Sequence, residues 1–227
     1  AAIADFSEAL KLRPDLVEAL YGRAYQYFVK NAYDLALNDL NALLIASPED
    51  PDAYLLRGLV HEERREVQAA FDDYSQAIKV KPDFWQAYNN RGILRHFNEQ
   101  PAAAIGDFNE AIKVKPDEAL LYINRGRSYL ALQRFNDALA DLNEAIRLAP
   151  TNEVAYFYRA MVFARAGNQD ASIADLTEAI RLKPDFPEAF NNRGLAYARK
   201  GDWRMAIADY SEAIRLRPTD ATPYRNR

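Results

Sequence analysis

The chain has 227 residues, with 29 Lys+Arg against 33 Asp+Glu, a formal net charge of −4 and no cysteine. Disulfides, thiolate metal sites and cysteine nucleophiles are thereby excluded, and the mildly acidic balance gives no electrostatic basis for holding a phosphate backbone. No apolar run reaches the roughly 20 residues a membrane-spanning helix needs, so neither nucleic acid binding nor membrane insertion is expected.

Proline sets a ruler along the chain. Pro14, Pro48, Pro82, Pro116, Pro150, Pro184 and Pro218 follow one another at 34-residue intervals, a period that marks stacked repeats. In chain order, 1–16 reads as a partial repeat whose stretch from Ala1 to Leu12 is a lone second helix. Six full repeats follow at 17–50, 51–84, 85–118, 119–152, 153–186 and 187–220, and 221–227 reads as half of another first helix. The expectation is a single all-α array over 1–227, taken from a longer one. Neither end carries the polar capping repeat that keeps such arrays soluble, so end-to-end self-association is also expected.

Each repeat divides into two helices. In the third, Tyr88, Gly92 and Arg95 keep helical spacing, and Ala104, Ile105, Phe108, Ala111 and Ile112 form the stripe of a helix that faces a core. Lys113 and Lys115 suit the C-terminal end of that helix, Pro116 stops it, and Asp117 is the expected N-cap of the next. Asp15 with Glu18, and Asp185 with Glu188, have capping-box spacing. Small residues recur in two registers: Ala36, Ala70, Ala104, Ala138 and Ala206, with Ser172 the one departure, and Gly58, Gly92, Gly126 and Gly194, with Ala24 and Ala160 substituting. They let helices pack at the near end of the ~8–10 Å range, and Tyr54, Tyr88, Tyr122, Tyr156 and Phe190 fill the spaces beside them.

The period, the aromatic–small–aromatic first helix (Tyr122, Gly126, Tyr129), the second helix of Ala138, Leu142 and Ala145, and the closing Pro150 together resemble the tetratricopeptide repeat. The likeness covers essentially the whole chain. It implies an all-α, right-handed α-solenoid of antiparallel helix pairs with a concave groove. Local departures are Leu43 where other repeats have alanine, and His61 and Arg95 in place of an aromatic.

Two charged series share the period. Arg23, Arg57, Arg91, Arg125, Arg159 and Arg193 are each followed sixteen residues later by Asp39, Asp73, Asp107, Asp141, Asp175 and Asp209. Matched one to one they cancel, so they read as ion pairs that set helix register, either within a helix pair or to the next repeat. The residue before the arginine is Asn90, Asn124, Asn192 or Asn226 in four repeats. In the resembled family this position faces the groove, where a carboxamide donates to and accepts from a peptide backbone without reading its side chains. Repeats ~8–10 Å apart and an extended peptide at ~3.3 Å per residue match roughly one asparagine to three ligand residues. The same face adds Tyr21 and Tyr25 early in the chain, and Asn89, Arg127, Arg165, Asn191 and Arg199 later.

The carboxylate clamp used by some repeat domains requires a Lys/Asn pair on one first helix. Here that register holds Tyr21/Tyr25, Leu55/Leu59, Asn89/Ile93 and Ile123/Arg127, and no such pair occurs. His61 precedes Glu62, Glu63, Arg64 and Arg65, which is not a zinc-hydrolase helix, and no glycine-rich phosphate loop or nucleophile turn is present. No cofactor, no metal and no catalysis are expected. The reading is a protein–protein interaction scaffold for an extended peptide or partner helix, with a substrate-recruiting arm of a larger enzyme, or a self-assembling module, as alternatives.

Overall fold

The computed structural model describes residues 2–227, and all the secondary structure among them is α-helical. The chain forms two compact units, Ala1–Lys115 and Pro116–Arg227. In the first, α1 (Ala2–Leu12) precedes three helix pairs: α2 (Val17–Val29) with α3 (Tyr33–Ala46), α4 (Pro51–Glu63) with α5 (Val67–Val80), and α6 (Trp85–Phe97) with α7 (Pro101–Val114). The second holds α8 (Ala119–Ala131) with α9 (Phe135–Leu148), α10 (Glu153–Arg165) with α11 (Gln169–Leu182), α12 (Pro187–Arg199) with α13 (Trp203–Leu216), and α14 (Ala221–Asn226).

The turn inside each pair is set by backbone hydrogen bonding. After α2, the Ala32 amide donates to the Tyr27 carbonyl at 2.9 Å, and the same six-to-one bond recurs at Glu66–His61, Gln100–Arg95, Arg134–Tyr129, Asn168–Phe163 and Asp202–Tyr197. This Schellman closure needs a left-handed residue just past the helix. Gly167 and Gly201 supply it at φ +86° and +83°, whereas Asn31, Arg65, Glu99 and Gln133 adopt it at 58–62° against the preference of a side chain.

Between pairs the capping differs from the sequence expectation. The N-cap expected at Asp117 falls one residue later, on Glu118, whose carboxylate accepts from Leu120 N at 3.5 Å. Neither Asp15 nor Asp185 caps a helix: Leu16 and Phe186 hold those positions and make no side-chain cap. The cause is burial. Phe186 packs against the cluster of Ala160, Leu176 and Ala189, which fixes the residue before the helix as an anchor and leaves the aspartate in the preceding turn. Where that residue is polar it does cap, as Asp50, Asn152 and Asp220 show. Proline still stops each second helix, and its carbonyl accepts from the next tyrosine hydroxyl at Tyr54, Tyr122, Tyr156 and Tyr224, over 2.9–3.3 Å.

The core is built by matching volumes across each pair. A methyl group on Gly58 would lie 2.5 Å from Tyr74 Cε1, one on Gly92 2.7 Å from Phe108 Cε1, and one on Gly194 2.7 Å from Tyr210 Cε1. Opposite Gly126 stands the smaller Leu142, and the approach relaxes to 3.1 Å. Where the first helix carries alanine instead, at Ala24 and Ala160, the residue sixteen later is leucine, Leu40 and Leu176, and all four are buried. Every aromatic ring in this register thus meets a glycine, whereas leucine meets alanine or, at Leu142, glycine.

Candidate functional site

The arginine series is consumed by the fold. Arg57 Nε and Nη2 donate to Asp73 at 2.9 and 2.6 Å, and Nη1 donates to Asn41 Oδ1 of α3 at 2.8 Å. Arg159 repeats this with Asp175 at 2.7 Å twice and with Asn143 of α9 at 2.7 Å. The pairs Arg23–Asp39, Arg91–Asp107, Arg125–Asp141 and Arg193–Asp209 are bidentate in the same way. Each aspartate is buried, and from Arg57 onward the guanidinium also lies over an aromatic ring three residues earlier, as Arg57 does over Tyr54 at 5.6 Å and Arg159 over Tyr156 at 5.6 Å; before Arg23 that place holds Leu20. Of the two geometries open at the sequence level, the aspartate therefore meets the arginine of its own pair, and the spare arm of that arginine reaches back to the preceding second helix.

That third set of partners, Ser7, Asn41, Ser75, Asn143, Thr177 and Ser211, was missed by the sequence reading. Its signal was available: a small polar residue stands two places after each aspartate. Planar, charge-assisted contacts of this kind are the strong ones. Burial still acts on them: it pushes the Asp141 carboxyl up from its ordinary value even though Arg125 pulls it down, while the bond to Asp73 holds the Arg57 guanidinium up.

The residues expected in a groove divide differently. In the first unit, Tyr21 is half-buried on α2, its phenol pushed up by burial and then by Asp52 and Asp50, and Tyr25 is exposed. Asn89 is only 5% exposed and donates to Asn90 Oδ1 at 3.2 Å, with Asn90 half-buried beside it. In the second unit Asn124 is 4% exposed, and Arg127 stacks over the Tyr158 ring at 4.8 Å. Asn192 donates to the Glu188 carbonyl at 2.8 Å, and Asn226 donates to Asn191 Oδ1 at 3.0 Å. Arg165 and Arg199 are exposed.

Three of these, Asn192, Arg165 and Arg199, come together at a recess of about 170 Å³ between α10, α11 and α12. Its walls include Ala160, Leu176 and Leu195, and the buried Ser172. A second recess, about 280 Å³, lies in the first unit beside Phe71, Leu94 and Arg95. Arg95 is already committed there, bonding Asp107 at 2.8 Å and lying over Phe71 at 5.2 Å. Among the described residues no group of three or more His, Asp or Glu side chains could hold a metal ion, and no helix is long and apolar enough to cross a membrane.

Helix pairs repeated every 34 residues and locked by an internal arginine ladder define an α-solenoid of helical repeats. Comparison with known sequences agrees. Profiles described as tetratricopeptide repeat match residues 1–51, 27–83, 119–152 and 187–220, and one described as TPR repeat matches 160–201. The chain belongs to the tetratricopeptide repeat family. No curated protein matches it. Among solved structures it is similar to YrrB, described as a TPR protein with an unusual peptide-binding site, at 22% identity over 82% of this chain and 96% of the other, with a TM-score of 0.64. PilW, a type IV pilus biogenesis factor, aligns at 18% identity over 92% and 97% of the two chains with a TM-score of 0.84. PilF of Pseudomonas aeruginosa aligns at 15% identity over 92% and 95% with a TM-score of 0.79. At these identities the likeness is one of fold.

Proposed function

We propose that this chain is a protein-interaction scaffold, and that the exposed face of its first helices takes an extended peptide. The observation that carries this reading is how the polar side chains are spent. The arginines and aspartates of the ladder satisfy one another inside the helix pairs, so they are not available to a ligand. Asn90 in the first unit and Asn192 in the second remain half-exposed on their first helices, and Tyr25, Arg165 and Arg199 are exposed on the same kind of helix. Carboxamides in these places suit a peptide backbone, and exposed arginines suit acidic side chains. The fold likeness to YrrB, itself described as having a peptide-binding site, supports a peptide as ligand. Asn89 and Asn124 are buried, so substitutions there would report on packing instead.

The test is a selection of random extended peptides on the purified chain, followed by calorimetry on the enriched sequences. Asn90→Ala and Asn192→Ala, made separately and each retaining the helical circular dichroism, are expected to weaken binding by about 0.5–1.5 kcal/mol per lost hydrogen bond. Unchanged affinity in both variants would move the contact surface elsewhere. A failure to enrich any peptide would remove the reading altogether.

A further inference from the structure

The recess in the second unit has a counterpart in the first that is not empty. In the repeat 51–84, the ring of Tyr74 is fully buried, lies against Gly58, and places its hydroxyl where it donates to Glu62 and meets Asn90. Three periods later the same registers hold Ala160, Ala164, Leu176 and Asn192. All four line the recess of about 170 Å³. Leucine in place of tyrosine leaves unfilled the space that the phenol ring occupies in the earlier repeat. Cavities near 150 Å³ accept a benzene ring.

A second observation concerns Ser172. The other hydroxyls in helix interiors bond back to the carbonyl four residues earlier: Ser7 to Ile3, Ser75 to Phe71, Ser128 to Asn124, Thr177 to Ile173 and Ser211 to Ile207. Ser172 does not. Its hydroxyl is buried at 1% exposure, lines the recess and has no hydrogen-bond partner. Alanine serves this register at 36, 70, 104, 138 and 206, so packing does not ask for a hydroxyl. An unpaired buried hydroxyl is unfavourable until something bonds it.

Resting on the peptide-binding reading above, we infer that the recess between α10, α11 and α12 is a socket for the tyrosine side chain of an acidic peptide. The incoming ring takes the place that Tyr74 fills in its own repeat. Its hydroxyl answers Ser172 and Asn192, and carboxylates beside it in the ligand meet Arg165 and Arg199, both exposed at the recess. Phenylalanine fills the walls but leaves Ser172 unbonded, and so binds less well.

The chain has two methionines, which makes the test direct. Met161 lines the recess, and Met205, on α13, is 40% exposed and is not among the lining residues. With the methionine methyls labelled with carbon-13, the full chain is titrated with the capped tripeptide Glu-Tyr-Glu, and with its Phe and Ala counterparts. The expected result is a saturating ring-current shift of Met161 with Met205 unmoved, strongest for the Tyr peptide and absent for the Ala peptide. Ala160→Gly with Leu176→Tyr recreates the pairing of Gly58 with Tyr74, so it is compatible with the fold and plugs the socket. It should weaken binding by roughly tenfold. Arg165→Gln with Arg199→Gln should weaken it about threefold at low salt. Ser172→Ala, which restores the residue of the other repeats, should abolish the preference for Tyr over Phe. The inference is overturned if Met161 stays silent, or if the plugged variant binds as well as the parent. Selected peptides that bind through Asn90 while Met161 is silent would leave the scaffold reading standing and remove the socket. A socket that takes the tripeptide when no longer peptide is ever enriched would do the reverse.

Discussion

The repeats 51–84 and 153–186 share one frame and differ in its filling. Both hold an arginine bonded twice to a buried aspartate and once to an asparagine of the preceding second helix, through Arg57, Asp73 and Asn41 in one and Arg159, Asp175 and Asn143 in the other. Between the helices the first packs glycine against a tyrosine ring, and the second packs alanine against leucine. The polar ladder fixes where the helices lie, and the apolar pair then decides whether the space beside the first helix is closed by the chain's own ring or left as a recess. Register and surface relief are therefore set by different residues, and each can be altered without the other.

The largest effect should come from breaking what the two repeats share. Asp73→Ala and Asp175→Ala each strand a guanidinium among partly buried groups, and removing one partner of such a pair costs about 3–5 kcal/mol. Urea denaturation should give similar losses for the two. A marked inequality would mean that the filling, and not only the ladder, holds the frame.

Next in size is the filling itself. Gly58→Ala places a methyl group 2.5 Å from a ring carbon of the buried Tyr74, an overpacking expected to cost about 1–3 kcal/mol. Adding Tyr74→Leu converts the pair into the Ala160/Leu176 combination and should recover a large part of that loss, giving a favourable coupling of about 0.5–3 kcal/mol in a double-mutant cycle. Additive losses would show that glycine and ring are not matched to each other. Smaller again, Ser172→Ala relieves an unpaired buried hydroxyl and should raise the unfolding free energy by about 1 kcal/mol, whereas Ala70→Ser at the same register should lower it by a similar amount.

Much of this was legible in the sequence, because a 34-residue period makes each repeat a check on the others. The helices, their stops and the partnership of arginine with aspartate follow from periodicity, since every position is sampled several times. The capping was misread at Asp15 and Asp185 for a physical reason: the following Leu16 and Phe186 gain more from burial than an aspartate gains from a cap, and polarity alone does not register that competition; at Asp117 the misreading was of one residue, since the equally polar Glu118 takes the cap. The asparagines divide according to side-chain packing, which periodicity does not carry, so Asn90 and Asn124 share a register yet differ in exposure. The recess was visible only as two departures, Ala160 and Ser172. Each looks like a tolerated substitution until the structure places both at the same recess.

The finest distinction between the two repeats is electrostatic. Tyr74 brings its hydroxyl to Glu62, and burial there pushes the Glu62 carboxyl above its ordinary value of 4.5, outweighing the opposing pull of the Tyr74 hydrogen bond. The register of Glu62 holds Ala164 in the later repeat, so that repeat has no titration at this place. A carboxyl raised in the folded state binds protons more tightly there than in the unfolded chain. Its contribution is fully present below pH 4.5 and is lost as pH rises through the folded value. The exposed pairs Glu178–Arg181 and Glu212–Arg215 behave oppositely: hydrogen bonds from arginine lower these carboxyls, so their contribution is present above pH 4.5 and lost as pH falls. Thermal unfolding of the parent and of Glu62→Gln should therefore differ in slope on the alkaline side of pH 4.5, with the parent declining more steeply. Below that pH the two should run parallel. Parallel profiles throughout would mean that Glu62 is solvated well enough to titrate normally, and that Tyr74 closes its repeat by packing alone.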